Sequence, residues 1–582
     1  MKKNKINKYF LNENDSIKKT LSVFQNTADL GLPAGLGIIV DNKNTVIGSI
    51  SEGDIRRAII GGSSLNDSII KFYERNPICF NQSLSFKQIL ELIPIELSKR
   101  NRKSQKYLNK IILLDNNGCL VKILSYHELW EQRVAIHRNV VVLGLGYVGL
   151  TLALVLADEG FLVTGVDLDR TKIDKLLKKE SYVHEKGIIE LLNKQSGNNF
   201  IPTTVIPEDG DVYIISVGTP IKINDNTKKP KPFLDYIKNI SIQVAEKLNP
   251  GNLVILRSTV PTGLSRSLVL PLLEKHSGLK CGKDFHLSFA PERTAEGKAL
   301  QELRELPQII GGINEESVEA TAALFRELTS TIIRVSSLES AEMIKLINNT
   351  FRDIVFSYSN YITQICSQYN LDVFEIIKAA NNGYPRNPVP YPSPGVGGPC
   401  LTKDPYIFST VLKDKIGNDM TLFEHGRMIN ENMHSYILER IKNAINNTNK
   451  SIENCKIIVC GLAFKGNPET GDIRNSSAVE IHNLLKKESQ NIFGHDPVAS
   501  HDDIISEGIN DCVLENEVNN ADIIIFLNNH IFYQKLNINN IVLKMAKTPI
   551  IFDGWNIFRS QDILKIRSCT YMSLSHTEKS TS

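Results

Sequence analysis

A chain of 582 residues is too long for one hydrophobic core, and the usual size of domains suggests about four of them. Its 42% hydrophobic and 23% charged residues are typical of an ordinary folded protein and exclude overall disorder. The 67 Lys and Arg against 64 Asp and Glu leave a net charge of only +3, which is too weak to indicate nucleic acid as the main partner. No apolar run approaches the roughly 18 residues of a membrane span, so we expect a cytoplasmic protein.

The first 137 residues contain a weak internal repeat. Residues 35–59 and 109–130 each read as a strand, a turn, a second strand and a helix. This segment resembles a tandem CBS domain, the adenosine-nucleotide sensing module, and the resemblance is best over residues 48–57. It implies that Ser51 and Asp54 hold the ribose and phosphate of an adenine nucleotide, although a helix N-cap explains the same two residues. Ser125 and Glu128 depart from the pattern, which favours one nucleotide site over two and leaves open a domain that serves only oligomer contacts.

A strand, a glycine-rich turn and a helix begin at residue 139. In GLGYVG, Gly144 allows the tight turn, Gly146 lets the backbone approach a pyrophosphate, and Gly149 permits close packing of the helix on the strand. Asp167 follows 21 residues after Gly146 at the end of the next strand, where its carboxylate would accept hydrogen bonds from the adenosine ribose. A carboxylate there repels a 2′-phosphate and favours NAD over NADP, although Arg170 nearby leaves NADP open.

Residues 336–371 predict one long helix, because apolar residues recur at helical spacing without Gly or Pro. A second α/β sheet is predicted from residue 455 onward, and the last ten residues are polar and predict a mobile tail. The predicted fold is α/β, with two Rossmann-like doubly wound domains joined by a long central helix and preceded by the tandem CBS-like domain. We place the domains at 1–137, 138–335, 336–450 and 451–582. The apolar positions of the long helix, which would connect domains or form a dimer, are Met343, Ile347, Phe351, Ile354, Tyr358, Ile362 and Ile365.

Seven motifs stand in order between residue 139 and about residue 559: GLGYVGL, SVGTP, STVPTG, APERTAEG, SAEMIKLINNTFR, GVGGPCLTKDP and GLAFKGNPETGDIRNSS. Together they resemble the UDP-glucose/UDP-N-acetylmannosamine dehydrogenase family of nucleotide-sugar dehydrogenases. The resemblance implies two successive NAD-dependent oxidations at one site, which take a sugar primary alcohol through an aldehyde to a carboxylate for surface polysaccharide biosynthesis. It also implies a UDP-sugar substrate and a homodimer.

Cys400 is the candidate nucleophile among nine cysteines that lack CxxC pairs and nearby histidines, so that neither a disulfide framework nor a metal site is indicated. The reaction needs a thiol, because a thiohemiacetal donates hydride where a bound aldehyde does so poorly, and the product is a thioester. Gly397 and Gly398 would let the backbone approach the substrate closely, and Lys403 would favour the thiolate.

Further catalytic roles come from residues that match the family's motifs. Lys345 and Asn349 are four residues apart on the predicted helix, so an ammonium and an amide could stabilise the developing oxyanion from one face, although a solvated lysine is the more common finding on a helix. The resemblance implies that Asp404 activates water, that Glu292 is the general base for thioester hydrolysis, and that Thr219 positions water or cofactor.

Binding residues also follow from the resemblance. Arg386 matches an arginine that reaches across a dimer interface to the sugar nucleotide, while Lys465 and Arg474 resemble residues that contact the UDP end and the cofactor. Glu296 would face the nicotinamide ribose. The expected NAD-binding set is Gly144, Gly146, Tyr147, Val148, Gly149, Asp167, Arg170, Thr219, Thr259, Glu296, Lys403 and Arg474. The expected substrate-binding set is Glu292, Lys345, Asn349, Arg386, Gly398 and Lys465.

Neither the sugar nor the class of function is fixed by these motifs. GVGG together with Arg386 favours a UDP-N-acetylhexosamine such as UDP-N-acetylmannosamine, whereas Lys403 and Asp404 leave UDP-glucose open. Two other functions stay open: a nucleotide-sensing regulatory or scaffold protein on an inactive dehydrogenase fold, and a one-step alcohol dehydrogenase that needs no thiol. The first is disfavoured because an inactive descendant would lose members of the catalytic set, which is intact at Cys400, Lys345, Asn349, Asp404 and Glu292.

Overall fold

The computed structural model describes residues 6–30, 33–84, 86–100, 110–125, 139–223, 230–416, 421–448, 450–566 and 568–579. The chain divides into two compact units. The N-terminal unit is Met1–Arg138 with Glu315–Leu324, and the main unit is Asn139–Asn314 with Phe325–Ser582. The finer division of the main unit at residues 335 and 450 stays a prediction.

The N-terminal unit contains two small sheets of the same construction. In one, β1 (Phe10–Leu11) pairs in parallel with β2 (Leu36–Val40), which pairs antiparallel with β3 (Val46–Ser51). In the other, β4 (Cys79–Asn81), β5 (Lys110–Leu114) and β6 (Leu120–Ser125) pair in the same two ways. The middle strands even share a register shift at the same place, between Ile39 and Val40 and between Leu113 and Leu114. The predicted repeat of strand, turn and strand is therefore present.

A helix follows the first copy of the repeat, as predicted, and the helix predicted after the second copy lies outside the described residues. Within residues 1–138, the helices that the structure describes are Ile17–Asp29, Glu52–Ile60 and Phe86–Lys99, with short 3₁₀ turns at Asn7–Tyr9 and Ile69–Lys71. Each copy has a buried apolar cluster of its own, and further apolar side chains of both sheets meet in one shared cluster, so each copy needs the other to bury the rest of its apolar surface. The shared cluster comprises Tyr9, Leu36, Ile38, Ile112, Leu120 and Ile123.

The main unit begins with a doubly wound sheet. Its strands are β7 (Asn139–Leu143), β8 (Leu162–Val166), β9 (Phe200–Thr203), β10 (Val212–Ile215), β13 (Leu253–Leu256), β14 (His286–Phe289), β15 (Gln308–Gly312) and β16 (Ile332–Val335), and the pair β11 (Ile221–Ile223) and β12 (Pro230–Pro232) stands outside it. Within the described residues the order is β16-β15-β14-β13-β10-β7-β8-β9, parallel except between β14 and β15. The order reverses between β7 and β10, and ligands of such sheets bind at this switch point.

Helices cover this sheet. Because both faces are buried, its strands are nearly continuous apolar runs. Among the described residues the helices are Tyr147–Asp158, Arg170–Leu177, Ile188–Gln195, Asp235–Ala245, Leu270–Ser277 and Ala299–Glu305, with a short π-helical segment at Ser265–Val269. The helix Glu315–Arg326 lies between β15 and β16 in the chain, and its residues Glu315–Leu324 belong to the N-terminal unit.

A second doubly wound sheet follows, as predicted. Its strands are β17 (Ile457–Cys460), β18 (Ile492–His495), β19 (Ile523–Phe526), β20 (Ile550–Asp553), β21 (Thr570–Met572) and β22 (Thr577–Lys579), in the order β18-β17-β19-β20-β21-β22 among the described residues. Its helices are Ser477–Lys486, His501–Ser506, Leu514–Glu517, Ile531–Gln534, Ile538–Lys544 and Ser560–Leu564. The prediction of a mobile tail is wrong for residues 573–579, because β22 pairs with β21 and Ser573 and Ser575 are buried.

Two long helices lie between the sheets in sequence. The central helix, Leu338–Gln368, confirms the predicted long helix and begins where Ser337 Oγ accepts a hydrogen bond from Ser340 N. The second long helix, Leu422–Asn446, begins with a reciprocal capping box of Thr421 and Glu424 and packs beside the central helix. Shorter helices at Val373–Asn381 and Asp404–Ile416 lie between them in the chain.

Within the described part of the chain, no helix has both the length and the apolar character that a membrane crossing requires. The same residues contain no group of three or more His, Cys, Asp and Glu side chains arranged to hold a metal ion.

Candidate active site

The glycine-rich turn lies at the switch point of the first sheet. Gly144 has φ +92°, and a Cβ on it would lie 2.9 Å from Ser216 O, while a Cβ on Gly149 would lie 1.8 Å from Gly144 O. A Cβ on Gly146 would meet nothing within 4 Å, and Gly146 caps the following helix without a side-chain hydrogen bond. Open space therefore lies beside Gly146 at the start of the helix, whose first N–H groups have no partner within the helix, and this fits the pyrophosphate of a dinucleotide.

Asp167 stands beside this turn. Its Oδ2 accepts hydrogen bonds from Leu145 N at 2.8 Å and Lys172 Nζ at 3.3 Å, and its Oδ1 accepts one from Asp169 N at 3.0 Å. Arg170 is exposed at the start of the next helix. A carboxylate fixed at this position fits the ribose hydroxyls of NAD.

Tyr182 and Glu185, which the sequence did not single out, hold the same turn, Glu185 through the predicted cofactor residue Tyr147. Tyr182 Oη donates a hydrogen bond to Leu145 O at 2.5 Å, and Tyr147 Oη donates one to the carboxylate of Glu185. Gly297 N in turn donates to Glu185 Oε2 at 2.8 Å, which links the turn to the APERTAEG segment. Val148 is half-buried in the first turn of the helix.

The segments that follow β10 and β13 are joined by Thr219 and Thr259. Thr219 is buried, and its Oγ1 donates a hydrogen bond to Thr259 O at 2.6 Å. Ser258 Oγ donates to Val217 O at 2.7 Å in the same place. Both predicted threonines therefore lie at the carboxyl edge of the sheet, where the dinucleotide site is expected.

Glu292 is buried in an ion pair with Arg257. Glu292 Oε2 accepts hydrogen bonds from Arg257 Nε at 3.1 Å and Nη2 at 2.6 Å, and Oε1 accepts one from Thr294 N at 2.6 Å. Lys345 Nζ donates a hydrogen bond to Glu292 O. Burial raises the pKa of the Glu292 carboxyl, but the charges of Arg257 and Lys345 outweigh it and lower this pKa to about 2. Arg257 was missed in the sequence, where a charged residue directly after the apolar strand β13 was the available signal.

Cys400 is exposed, whereas the other eight cysteines, all of which fall in described segments, are buried or half-buried. The residue is exposed as a whole, but its sulfur is packed among protein atoms. This desolvation, together with the charge of Asp404, raises the pKa of the thiol above its ordinary value against the lowering by Lys345 and Lys403. Lys403 Nζ pairs with Asp404 Oδ1 at 2.9 Å, so the ammonium assigned to the cofactor is bound to a carboxylate. Asp404 is fully buried, and its Oδ2 accepts a hydrogen bond from Asn349 Nδ2 at 2.6 Å.

The glycines before Cys400 serve packing within the protein. A Cβ on Gly398 would lie 2.7 Å from the Phe464 ring, and one on Gly397 would lie 2.4 Å from Asn475 O. On the side where a Cβ would stand, both glycines therefore make room for the segment 464–477, and the expected contact of Gly398 with substrate stays a prediction.

Glu296, in the segment after β14, contacts the segment that follows β17 of the second sheet. Its backbone O accepts a hydrogen bond from Lys465 Nζ at 2.7 Å, and its Oε2 accepts one from Thr470 Oγ1 at 3.4 Å. Burial and the neighbouring Asp472 raise the pKa of Glu296 to about 7, against Lys465 and Arg474. Arg474 donates from Nε to Asp472 Oδ1 at 2.9 Å and contributes positive charge near Cys400.

Arg386 does not contact the residues around Cys400 in the described part of the chain. It is exposed on the segment after Val373–Asn381, and no hydrogen bond or ion pair reaches it from the described residues of the chain. Asn381 holds that segment, because its Oδ1 and Nδ2 bond Val389 N and Val389 O at 2.8 Å each.

In the N-terminal unit, Ser51 and Asp54 form a capping box at the start of Glu52–Ile60. Asp54 Oδ2 accepts hydrogen bonds from Ser51 N at 2.8 Å and Ser51 Oγ at 2.7 Å, and Arg57 pairs with Oδ1. Beside them lies a cavity of about 320 Å³, lined by Asp54, Arg57, Ala58, Gly61, Ser63, Lys71 and Phe72. Glu128 and the side chain of Ser125 lie outside the described residues.

Three models of one protein family match the chain in succession. They are the NAD binding domain, the central domain and the UDP binding domain of the UDP-glucose/GDP-mannose dehydrogenase family, at residues 138–329, 339–432 and 458–560. The chain is 33% identical over 428 residues to a UDP-N-acetyl-D-mannosamine dehydrogenase of Pyrococcus horikoshii, covering 73% of this chain and 97% of that protein. It is 34% identical over 359 residues to one of Campylobacter jejuni, covering 61% and 84%. The solved structure of the UDP-N-acetyl-mannosamine dehydrogenase Cap5O from Staphylococcus aureus matches with a TM-score of 0.64 at 30% identity, covering 75% of this chain and 98% of that one.

Proposed function

The chain belongs to the UDP-glucose/GDP-mannose dehydrogenase family of NAD-dependent oxidoreductases, and from this membership we propose that it oxidises a UDP-N-acetylhexosamine to the uronic acid. The relatives from P. horikoshii and C. jejuni, both named UDP-N-acetyl-D-mannosamine dehydrogenases, support UDP-N-acetylmannosamine as the substrate. The single observation that supports a thioester route is the exposure of Cys400 beside Lys345, Lys403 and the Asn349–Asp404 pair.

The chemistry consumes one alcohol and one water. The C6 alcohol loses a hydride and a proton to become an aldehyde, and the Cys400 thiolate adds to the aldehyde carbon to form a thiohemiacetal. Loss of a second hydride gives a thioester, and water displaces the sulfur to give a carboxylate and the free thiol. When bound, NAD⁺ accepts each hydride, so the sum is RCH₂OH + 2 NAD⁺ + H₂O → RCOO⁻ + 2 NADH + 3 H⁺.

The residues of the site divide this work. Lys345 and Asn349 stabilise the negative oxygen of the alkoxide and of the thiohemiacetal. Asp404 binds the water that attacks the thioester. Of the two glutamates, Glu292 is a weak base because its pKa is held at about 2, whereas Glu296, with a pKa of about 7, suits proton transfer near neutral pH.

A panel of UDP-sugars assayed for NADH and uronic acid tests this function, with Cys400→Ser as the variant and Cys281→Ser, a half-buried thiol, as the control. We expect UDP-N-acetylmannosamine to give two NADH per sugar, UDP-glucose to react poorly, and Cys400→Ser to lower the overall rate by about 1,000-fold or more. One NADH per sugar would refute the thioester route, and so would full turnover by Cys400→Ser. Preference for UDP-glucose would reassign the sugar alone.

The central helix supports a homodimer. Met343, Ile347, Phe351, Tyr358 and Ile365 form an exposed apolar stripe along it, and Phe351 is 67% exposed. An apolar patch of this length marks a surface that another protein covers. A cavity of about 230 Å³ lies on the same face, lined by Phe351, Arg352, Val355, Phe356 and Pro390. In this arrangement a second copy covers the stripe, and Arg386 reaches the sugar nucleotide of the partner.

The N-terminal unit is a tandem CBS-like domain that binds an adenine nucleotide in the cavity beside Asp54. The repeated sheets support the domain type, and the cations Arg57 and Lys71 in the cavity lining suit a phosphate. Calorimetry and initial rates with ATP, ADP and AMP test this, with Arg57→Ala as the variant. We expect micromolar binding and a changed rate. If the nucleotides give no heat of binding and do not change the rate, only the role in oligomer contacts remains for this domain.

A further inference from the structure

The segment that carries Cys400 has no regular secondary structure of its own. Residues 382–403 contain neither helix nor strand, and Gly395 and Gly398 have φ of +101° and +94°. Its conformation is therefore set by the groups that bond its backbone. On one side Gly398 N donates a hydrogen bond to Asn475 O at 3.0 Å.

Arg427 of the second long helix holds the other side. Its Nη2 donates a hydrogen bond to Val396 O at 2.7 Å, and its Nη1 donates one to Leu401 O at 3.3 Å. These two carbonyls bracket Cys400 in the chain. Arg427 is fully buried, so its guanidinium is committed to these contacts and does not exchange them for water.

Asp353 ties this guanidinium to the central helix. Arg427 Nη1 donates to Asp353 Oδ1 at 2.7 Å, and Asn430 Nδ2 donates to Asp353 Oδ1 and Asp353 O at 2.9 Å each. Asp353 lies four residues after Asn349 and eight after Lys345, which places all three on one face of the helix. The helix that carries the ammonium and the amide therefore also carries the anchor of the Cys400 segment.

Asn360, two turns further along, makes a second connection. Its Oδ1 accepts a hydrogen bond from Ser393 N at 3.0 Å, and its Nδ2 donates to Asn430 Oδ1 at 2.9 Å. The central helix thus bonds the segment at residue 393 directly and at residues 396 and 401 through Arg427.

We propose that Arg427 is a positioning residue, which holds Cys400 in register with Lys345 and Asn349 by clamping the carbonyls of Val396 and Leu401 to the central helix. The effect on turnover rests on the proposed function. The planar guanidinium reaches two carbonyls and a carboxylate together, and a lysine ammonium, a single point charge, cannot replace that geometry. Because only the second oxidation needs the thiol, displacement of Cys400 should slow that step and release the aldehyde.

The matched pair of variants is Arg427→Lys and Arg440→Lys. Arg440 lies on the same helix and also bonds backbone carbonyls, those of Ser573, Ser575 and His576, but it does not contact the Cys400 segment. Hydrogen exchange of peptides covering residues 390–403, measured on the full chain without substrate, reports the clamp itself. NADH per UDP-sugar in the presence of hydroxylamine, an aldehyde trap, reports its effect on the chemistry.

For Arg427→Lys we expect faster exchange in residues 390–403, a rate about tenfold or more lower, and a stoichiometry that falls from two NADH towards one with trapped aldehyde. Arg440→Lys should keep wild-type exchange there and two NADH per sugar. Unchanged exchange, or a stoichiometry that stays at two, would overturn the proposal. If Arg427→Lys is recovered unfolded, Asp353→Asn decides on the same readouts. A wild type that oxidises no UDP-sugar would refute the proposed function, and the exchange comparison would still decide the clamp.

Discussion

Asn349 Nδ2 donates a hydrogen bond to Asp404 Oδ2 over 2.6 Å, and this bond joins the central helix to the helix that follows Cys400. The Asn349 amide suits this fully buried carboxylate, because its NH₂ group donates to the carboxylate oxygen. Asn349→Asp would place two carboxylates at this distance, so one of them would have to take up a proton. We expect kcat to fall by roughly 10–100-fold at pH 8, and by less at pH 6, where the added proton is more easily bound.

Asn348→Asp is the matched control for this change, since Asn348 is the adjacent, exposed residue of the same helix. Its rate should stay near that of the wild type from pH 6 to 9. Equal effects of the two substitutions would mean that the Asn349–Asp404 bond is not important for turnover.

Glu292 should stabilise the fold through its ion pair with Arg257. Its folded pKa of about 2 lies below the ordinary value of 4.5, so the stabilisation is complete above pH 4.5 and is lost as the pH falls towards 2. Glu292→Gln should lower the free energy of unfolding by on the order of 3 kcal/mol, by the same amount from pH 8 to 5 and by less at pH 4. Urea unfolding at these pH values measures it. Glu208→Gln, which removes an exposed ion pair with Lys247, should change it by less than about 1 kcal/mol.

Glu296 should show the opposite dependence on pH. Its folded pKa of about 7 lies above the ordinary 4.5, so the folded state binds the proton more tightly and loses stability as the pH rises from 4.5 through 7. Glu296→Gln carries no charge and escapes that cost. At pH 8 its free energy of unfolding should exceed that of the wild type by up to roughly 3 kcal/mol, and it should unfold at a higher temperature. At pH 5 the two proteins should unfold at the same temperature. A difference that is independent of pH would contradict the raised pKa.

The exposed stripe of the central helix predicts how the homodimer can be broken. Phe351→Lys would bury an unpaired ammonium at the interface. We expect the dissociation constant of the dimer, measured by sedimentation velocity, to rise about 100-fold. Val205→Lys introduces the same charge at an equally exposed apolar residue on another surface, and should leave the assembly unchanged. A wild type that sediments as a monomer at micromolar concentration would show that the stripe has no second copy as its partner.

The local patterns of the sequence were sufficient for the outline of the fold. The apolar strand before Gly144, the uninterrupted periodicity of residues 336–371 and the second α/β pattern after residue 455 each reflect contacts between near neighbours in the chain, and the structure contains all three. The repeated strand pairs of the N-terminal unit were visible for the same reason. Ser51 and Asp54 form the capping box that their three-residue spacing suggested.

Only the tertiary structure decided which groups meet and what charge they carry. Glu292 and Glu296 are four residues apart and chemically identical, yet Arg257 makes one a strong acid while burial beside Asp472 makes the other a weak one. The glycines before Cys400 turned out to accommodate Phe464 and Asn475, which come more than 60 residues later. Acidity and packing depend on partners that chain folding brings together from distant positions, and the order of residues along one segment does not contain that information.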